Sequence, residues 1–274
     1  MAVVSAPKPH PLNTGFVWRT RAVARRRRLD ADQSAGFDDQ GFVKLEALFS
    51  PAEIAAVTQA IDPLERAAEA RLRAAGGRIS ISDADAITFT THLACRSNVL
   101  GAFARHPAIL DVCHDLMGED VRLYWDQSVY KKTQKLQEFP WHQDNGYTFV
   151  EPQQYLTLWL PLVDVDENNG CPWVAPGLHR LGTLDHWVTP IGLKCLDEAP
   201  GAVAVPARAG DAIVFSSLTP HRTGPNLAAG TVRKAYILQY CLEGSVATQR
   251  DGRQVVQDDP ERQFKVLAAG RPAS

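Results

Sequence analysis

Apolar positions recur at helical spacing over the first third of the chain, and beyond Val121 they alternate or run in short blocks. Residues 30–40 read as a short helix stopped by Gly41, with an extended segment over 42–48. Ser50-Pro51-Ala52-Glu53 is a helix start: the serine caps, the proline takes the first helical position and Glu53 closes a capping box. Ile54, Val57 and Ile61 then share one face. Pro63, behind the alternative cap Asp62, predicts a break or kink before a second helical stretch that runs to Gly76-Gly77. Residues 97–117 read as two further short helices, divided near Pro107 and closed by Gly118.

Short runs rich in Val, Ile, Tyr, Trp and Thr predict strands over 121–132, 155–163, 171–174, 202–205, 211–215 and 233–242. Glu167-Asn168-Asn169-Gly170, Pro176-Gly177 and Ala209-Gly210 supply turns between them. Helices first and strands later argue for a helical flank packed on a double-sheet β-fold of the jelly-roll kind.

Composition narrows the class. With 274 residues, 45% hydrophobic and 22% charged, the chain suits a soluble globular protein of one large domain or two small ones. A net charge of -2 gives no general attraction to nucleic acid or to an anionic membrane, so neither partner is expected. The charge is uneven, because residues 1–29 hold seven Lys/Arg and no Asp/Glu. A transit segment or a nucleic-acid arm would share that bias. Without the apolar core of a secretory signal, and with Pro7, Pro9 and Pro11, the segment reads instead as a solvated basic arm on the surface, ahead of a single domain over 30–274. No run of about 18 apolar residues predicts a membrane span. Five widely spaced cysteines without a C-x-x-C pair fit reduced thiols in a cytoplasm and disfavour a thiolate zinc site.

The chemistry concentrates in Trp141-His142-Gln143-Asp144-Asn145-Gly146-Tyr147. On an extended strand residues i and i+2 point the same way, so His142 and Asp144 can address one point. A second histidine in a strand context, His221, follows 79 residues later. Two histidines and a carboxylate on one face of an octahedral ion leave three positions open, which suits iron(II) that must take a bidentate co-substrate and dioxygen. A lone His-x-Asp is weak, since a strand-end histidine bonded to a loop carboxylate gives the same pattern. Arg233 strengthens it: an arginine entering a β-core beside a metal needs an anion, and its fork matches the distal carboxylate of 2-oxoglutarate.

At this point the chain resembles the phytanoyl-CoA dioxygenase family of iron(II)/2-oxoglutarate oxygenases. The similar stretches are Tyr124-Trp125-Asp126-Gln127, the Trp141 to Tyr147 run, Leu156-Thr157-Leu158-Trp159, Glu167-Asn168-Asn169-Gly170-Cys171-Pro172, Pro176-Gly177-Leu178-His179, Pro220-His221-Arg222-Thr223-Gly224 and Arg233-Lys234-Ala235. They stand in the family's order across roughly residues 30–245. The resemblance implies a mainly β, cupin-like double-stranded β-helix with flanking helices, with His142, Asp144 and His221 on the metal and 2-oxoglutarate on Arg233, supported by Thr223, Trp159 and Gln127. It also implies oxidative decarboxylation of 2-oxoglutarate to succinate and carbon dioxide, coupled to hydroxylation of an unactivated C–H bond in a small-molecule substrate. Asp144 stands where halogenating relatives carry a small residue, which favours oxygen transfer.

Further expectations are local. Asn145 and Tyr147 are expected on the substrate side, Tyr130, Phe149 and Trp173 in an aromatic wall, and a helical segment with Arg78, Ile81, Thr88 and His92 as a lid. His179 reads as structural in its turn; His92, His106, His114 and His186 read as ordinary histidines. The rivals are the same chemistry ending in desaturation, cyclisation or demethylation, a catalytically silent jelly-roll binding module, and a zinc hydrolase.

Overall fold

The strands expected after Val121 pair, in a computed structural model describing residues 6–21, 23–249 and 251–273, into two principal antiparallel sheets. The larger runs in the order Phe42–Leu45, Ala212–Ser216, Leu156–Pro161, Arg233–Leu242, Val121–Lys131, Ile87–Thr91, Ser82–Asp83, Arg78–Ile79. Four strands make the smaller: Val203–Ala204, Pro172–Val174, His221–Thr223 and Phe139–His142. Val129, Trp159, Phe215 and Ile237 of the large sheet share one apolar cluster with Phe139 and Val174 of the small one, so the two sheets close on each other as a jelly roll.

Register decides which side chains enter that interior. Arg233–Leu242 lies against Val121–Lys131 with Arg233 opposite Lys131, Ala235 opposite Val129 and Ile237 opposite Gln127. Directly opposed residues of an antiparallel pair project to the same face. These six therefore point inward, while Tyr236 and Leu238 point out to the helices. On that outer face Ile54, Val57 and Ile61 of the helix Pro51–Ala74 and Ile109 and Val112 of the helix Pro107–Met117 join Leu123, Leu158, Tyr236 and Leu238 in the main cluster. Each fully buried Ile or Leu there contributes about 1.5–3 kcal/mol relative to exposure.

Two expectations are corrected. The helix Pro51–Ala74 is continuous through Pro63, whose missing N–H costs little because the residue is exposed and water can reach the freed carbonyl. The stretch expected as a helical lid is instead three short strands, Arg78–Ile79, Ser82–Asp83 and Ile87–Thr91, which extend the large sheet because Ile87–Thr91 finds a free edge on Val121–Lys131.

Met1–Ser5 of the basic arm lie outside the described residues. Further on, Pro9 bridges Leu184, Asn13 donates to the carbonyls of Leu181 and Thr183, and Trp18 donates to Asp38. The backbone N–H groups of Arg27, Arg28 and Leu29 converge on the Asp115 carboxylate at 2.8–3.0 Å. Those bonds tie this part of the arm over the folded body. Among the described residues no helix is long and apolar enough to cross a membrane, and all five cysteines are free thiols, four of them buried.

Candidate active site

His142 ends one strand of the small sheet and His221 begins its neighbour, and the two are directly opposed in the ladder with ring centroids 4.1 Å apart. Each imidazole is anchored the same way: Nδ1 of His142 bonds the carbonyl of Pro140 at 2.8 Å, and Nδ1 of His221 bonds that of Thr219 at 3.0 Å. A carbonyl only accepts, so each Nδ1 carries the proton and each Nε2 keeps a lone pair for a metal. Burial, then the neighbouring His221, hold the His142 pKa well below the ordinary histidine value, which keeps it neutral.

The strand stops at His142, yet Gln143 is still extended, at φ -109° and ψ 144°, so Asp144 returns to the histidine side before a single 3-10 turn over Asp144–Gly146. Asp144 Oδ1 lies 3.9 Å from both Nε2 atoms, and Thr157 donates to its Oδ2 at 2.5 Å. Cis donors about 2.1 Å from one ion sit roughly 3 Å apart. To hold an ion with both histidines the carboxylate would move in by about an ångström. Among the described residues these three form the one group of His, Cys, Asp or Glu side chains able to hold a metal.

The backbone between His142 and Asp144 is bolted from behind. Gln143 is fully buried, donating to the carbonyls of Gly182 and Leu218 and accepting from the Leu184 N–H, while its own N–H donates to His186 Nε2 at 3.0 Å. His186 is held neutral by burial, which lowers its pKa to about 4, and its Nδ1 bonds the Leu184 carbonyl. This histidine reads as ordinary in the sequence; the structure makes it the wedge under the ligand turn. Its ring fills the space that a Cβ on Gly146 would occupy. A Gly146→Ala protein is therefore expected to lose about 1–3 kcal/mol of stability through overpacking and to bind iron(II) more weakly as the turn carrying Asp144 shifts. Thermal melting and metal titration check this, and wild-type values for both would remove the wedge.

Arg233 projects from its strand into the interior with 1% exposure, and its Cζ lies 5.4 Å from the centre of the Trp159 ring. Its Nη1 donates to the Val129 carbonyl at 3.1 Å, and its buried Nε has no partner among the described residues. Burial lowers the guanidinium pKa only to about 9, so it stays charged at neutral pH. A buried, charged fork with unspent donors fits an incoming carboxylate. Thr223, two residues beyond His221, is buried, and its carbonyl accepts from Lys131, a residue that sequence reasoning missed.

A cavity of about 590 Å³ opens over His142 and Asp144. Gln127 and Tyr147 line it; Gln127 accepts from Trp125, and the Tyr147 hydroxyl accepts from the Leu193 N–H. Ile79 to Ser82, Phe89 and Thr91 roof it, so the segment expected as a lid does border the opening, as strands. Asn145 does not reach it. Its amide is buried and spent on Thr183 and Val150, holding the turn from the protein side. The expected aromatic wall is also different: Tyr130 turns outward to Asp62, Phe149 stacks on His10, and Trp173 lies beside Arg222, whereas Tyr124, Trp125, Phe139 and Tyr155 line the cavity. His179 is fully buried against Gly41 and the Asp38 carbonyl, apart from the triad.

Known proteins resemble this chain in sequence and fold. The sequence profile of the phytanoyl-CoA dioxygenase (PhyH) family matches residues 37–235. An ectoine dioxygenase of Bordetella bronchiseptica is 25% identical over 246 residues, covering 82% of this chain and 79% of its own. Among solved structures, EctD from S. alaskensis, with 2-oxoglutarate and 5-hydroxyectoine bound, superposes with a TM-score of 0.66 at 25% identity, covering 86% of this chain and 82% of its own. SnoK, a non-heme alpha-ketoglutarate-dependent carbocyclase of nogalamycin biosynthesis, superposes at 0.67 with 22% identity over 90% of this chain and 94% of its own, a likeness of fold.

Proposed function

The chain belongs to the phytanoyl-CoA dioxygenase family, and from that premise we propose that it hydroxylates an unactivated C–H bond of a small molecule, with iron(II) on His142, Asp144 and His221 and 2-oxoglutarate on Arg233, Thr223, Trp159 and Gln127. That it is an iron(II)/2-oxoglutarate-dependent dioxygenase follows from its relatives and structural neighbours. The observation that carries the residue assignment is a His-Asp-His group with both histidines buried, in the same interior as a buried arginine whose Nε lacks a partner among the described residues. Bound there, iron(II) with 2-oxoglutarate and dioxygen supplies the oxidant, and succinate and carbon dioxide leave.

The protein's own part is placement. The Pro140 and Thr219 carbonyls hold both imidazoles in the tautomer that offers Nε2, and Thr157 holds one carboxylate oxygen so that the other faces the histidines. Arg233 fixes the far end of the co-substrate. The cavity is of the size that takes small organic ligands, and among the described residues its lining holds no Lys or Arg and one acid, Asp144. Such walls favour an uncharged reacting region.

Asp144 also sets the outcome, because its carboxylate fills the position a halide would need and adds negative charge there. Incubation with iron(II), 2-oxoglutarate, oxygen, chloride and a panel of uncharged small molecules is expected to give a product with one added oxygen atom and one succinate per turnover. Chlorinated product, or no 2-oxoglutarate consumption with any substrate, would overturn the proposal. Desaturation, cyclisation or demethylation would show in the same mass spectra as loss of hydrogen or of a methyl group.

A further inference from the structure

We propose that the basic arm and the folded body together form a site for a tetrahedral oxyanion of the phosphate class, held by Arg19, Arg21, Arg26 and Ser34, and that the bound anion fixes the arm in place. The site is separate from the His-Asp-His group and does not depend on the reaction proposed above.

The arm supplies the charge. Arg19 is fastened to the body through its backbone alone: its N–H donates to Gln154 Oε1 at 3.1 Å and its carbonyl accepts from Gln154 Nε2 at 2.9 Å. Beside this contact lies a cavity of about 20 Å³, lined by Arg19, Arg21 and Arg26 from the arm and by Ser34 from the body. Arg27 turns away to the Gly270 carbonyl and to Asp111. The guanidinium groups of Arg19, Arg21 and Arg26, by contrast, bond no carboxylate and no carbonyl among the described residues.

The body supplies a donor. Ser34 sits inside the helix Ala31–Gln40 with 6% exposure. A serine in a helix can turn its hydroxyl to the carbonyl four residues back, yet Ser34 Oγ is buried with no partner among the described residues. A buried hydroxyl left without a hydrogen bond is unfavourable, and an anion oxygen would satisfy it. Two acids also line the cavity, and both are engaged: Asp115 accepts from the N–H groups of Arg27, Arg28 and Leu29, and Asp38 accepts from the Trp18 indole at 3.0 Å. Three guanidinium groups against two carboxylates leave the cavity net positive. Its volume admits roughly one or two oxygen atoms, which suits an oxyanion seated in the mouth and excludes the body of an organic ligand. A tetrahedral anion offers an oxygen to each arginine fork and one to the hydroxyl.

Calorimetric titration of the full chain with inorganic phosphate, at an ionic strength held constant with chloride, is expected to show saturable binding that acetate does not reproduce. Ser34→Ala should weaken phosphate about 10-fold and leave the phosphate-free melting temperature unchanged or higher, since it deletes a hydroxyl that bonds nothing. Arg21→Gln and Arg26→Gln change exposed side chains, so they should cost the fold little while weakening phosphate by a similar factor. Hydrogen exchange of the amides between Arg19 and Arg28 should slow when phosphate is added to the wild type, and much less in Ser34→Ala at the same concentration. Glycerol 3-phosphate, titrated alongside, separates two sources of the same chemistry: affinity at or above that of the free ion assigns the site to a phosphate monoester, and lower affinity assigns it to the ion itself. Binding that does not saturate, or that acetate matches, would reduce the cluster to general charge attraction. Unaltered affinity in Ser34→Ala and both arginine variants would remove the site, and unchanged exchange in the wild type would remove its hold on the arm.

Discussion

His221→Ala and His142→Ala proteins are expected to bind iron(II) at least about 100-fold more weakly than the wild type and to consume no 2-oxoglutarate. Losing a residue that merely orients a ligand already costs 10- to 100-fold in affinity, so losing one of three ligands costs more. No rescue is available, because among the described residues no other His, Cys, Asp or Glu completes the group. The two variants should behave alike, since the histidines are opposed in one ladder and anchored by the same kind of carbonyl bond. Folding should survive, as the side-chain hydrogen bond each truncation removes is a single one to a nearby backbone carbonyl. Metal titration by calorimetry, with thermal melting as the folding control, reads the result. Wild-type iron binding in His221→Ala would refute the assignment.

That His142 and Asp144 lie together was legible in the sequence because their spacing is local. His142 and Asp144 are two residues apart on backbone that stays extended through Gln143, and the same short-range geometry carries both side chains to one side. Helix caps were legible for the same reason: Ser50 with Glu53, and Gly41 at φ 82°, are signals within four residues. The strands 121–131 and 233–242 were legible from their composition, which fits a surface packed on both faces.

What was not legible depends on partners far along the chain. Pro63 reads as a breaker until its exposure on a helix held by Ile54, Val57 and Ile61 is known. The short strands between Arg78 and Thr91 carry weak signals of their own and take their form from an available sheet edge. Asn145 sits beside the ligands in sequence, but Thr183 and Val150 draw its amide to the other side. His186 acts on a backbone N–H 43 residues away, and Lys131 reads as an ordinary strand-end lysine until Arg233 is seen opposite it. In each case a side chain's surroundings, rather than its spacing, decide its part.

Arg233→Ala is expected to raise the KM for 2-oxoglutarate by roughly two to three orders of magnitude, while leaving iron affinity close to that of the wild type. Removing one member of a buried, hydrogen-bonded charge pair typically costs about 3–5 kcal/mol, because the partner is left desolvated and unpaired. The conditions for the full cost are met here: the guanidinium is buried, still charged at neutral pH, stacked near Trp159 and free to spend its Nε on a ligand. Its side chain bonds Val129 and none of the three metal-site residues, so the metal should not register the change. Arg233→Lys keeps the charge but not the planar fork, and should recover only part of the loss. The split between co-substrate KM and metal affinity is the telling readout, since general destabilisation would move both. An Arg233→Ala enzyme with an unaltered 2-oxoglutarate dependence would show that the co-substrate lies elsewhere.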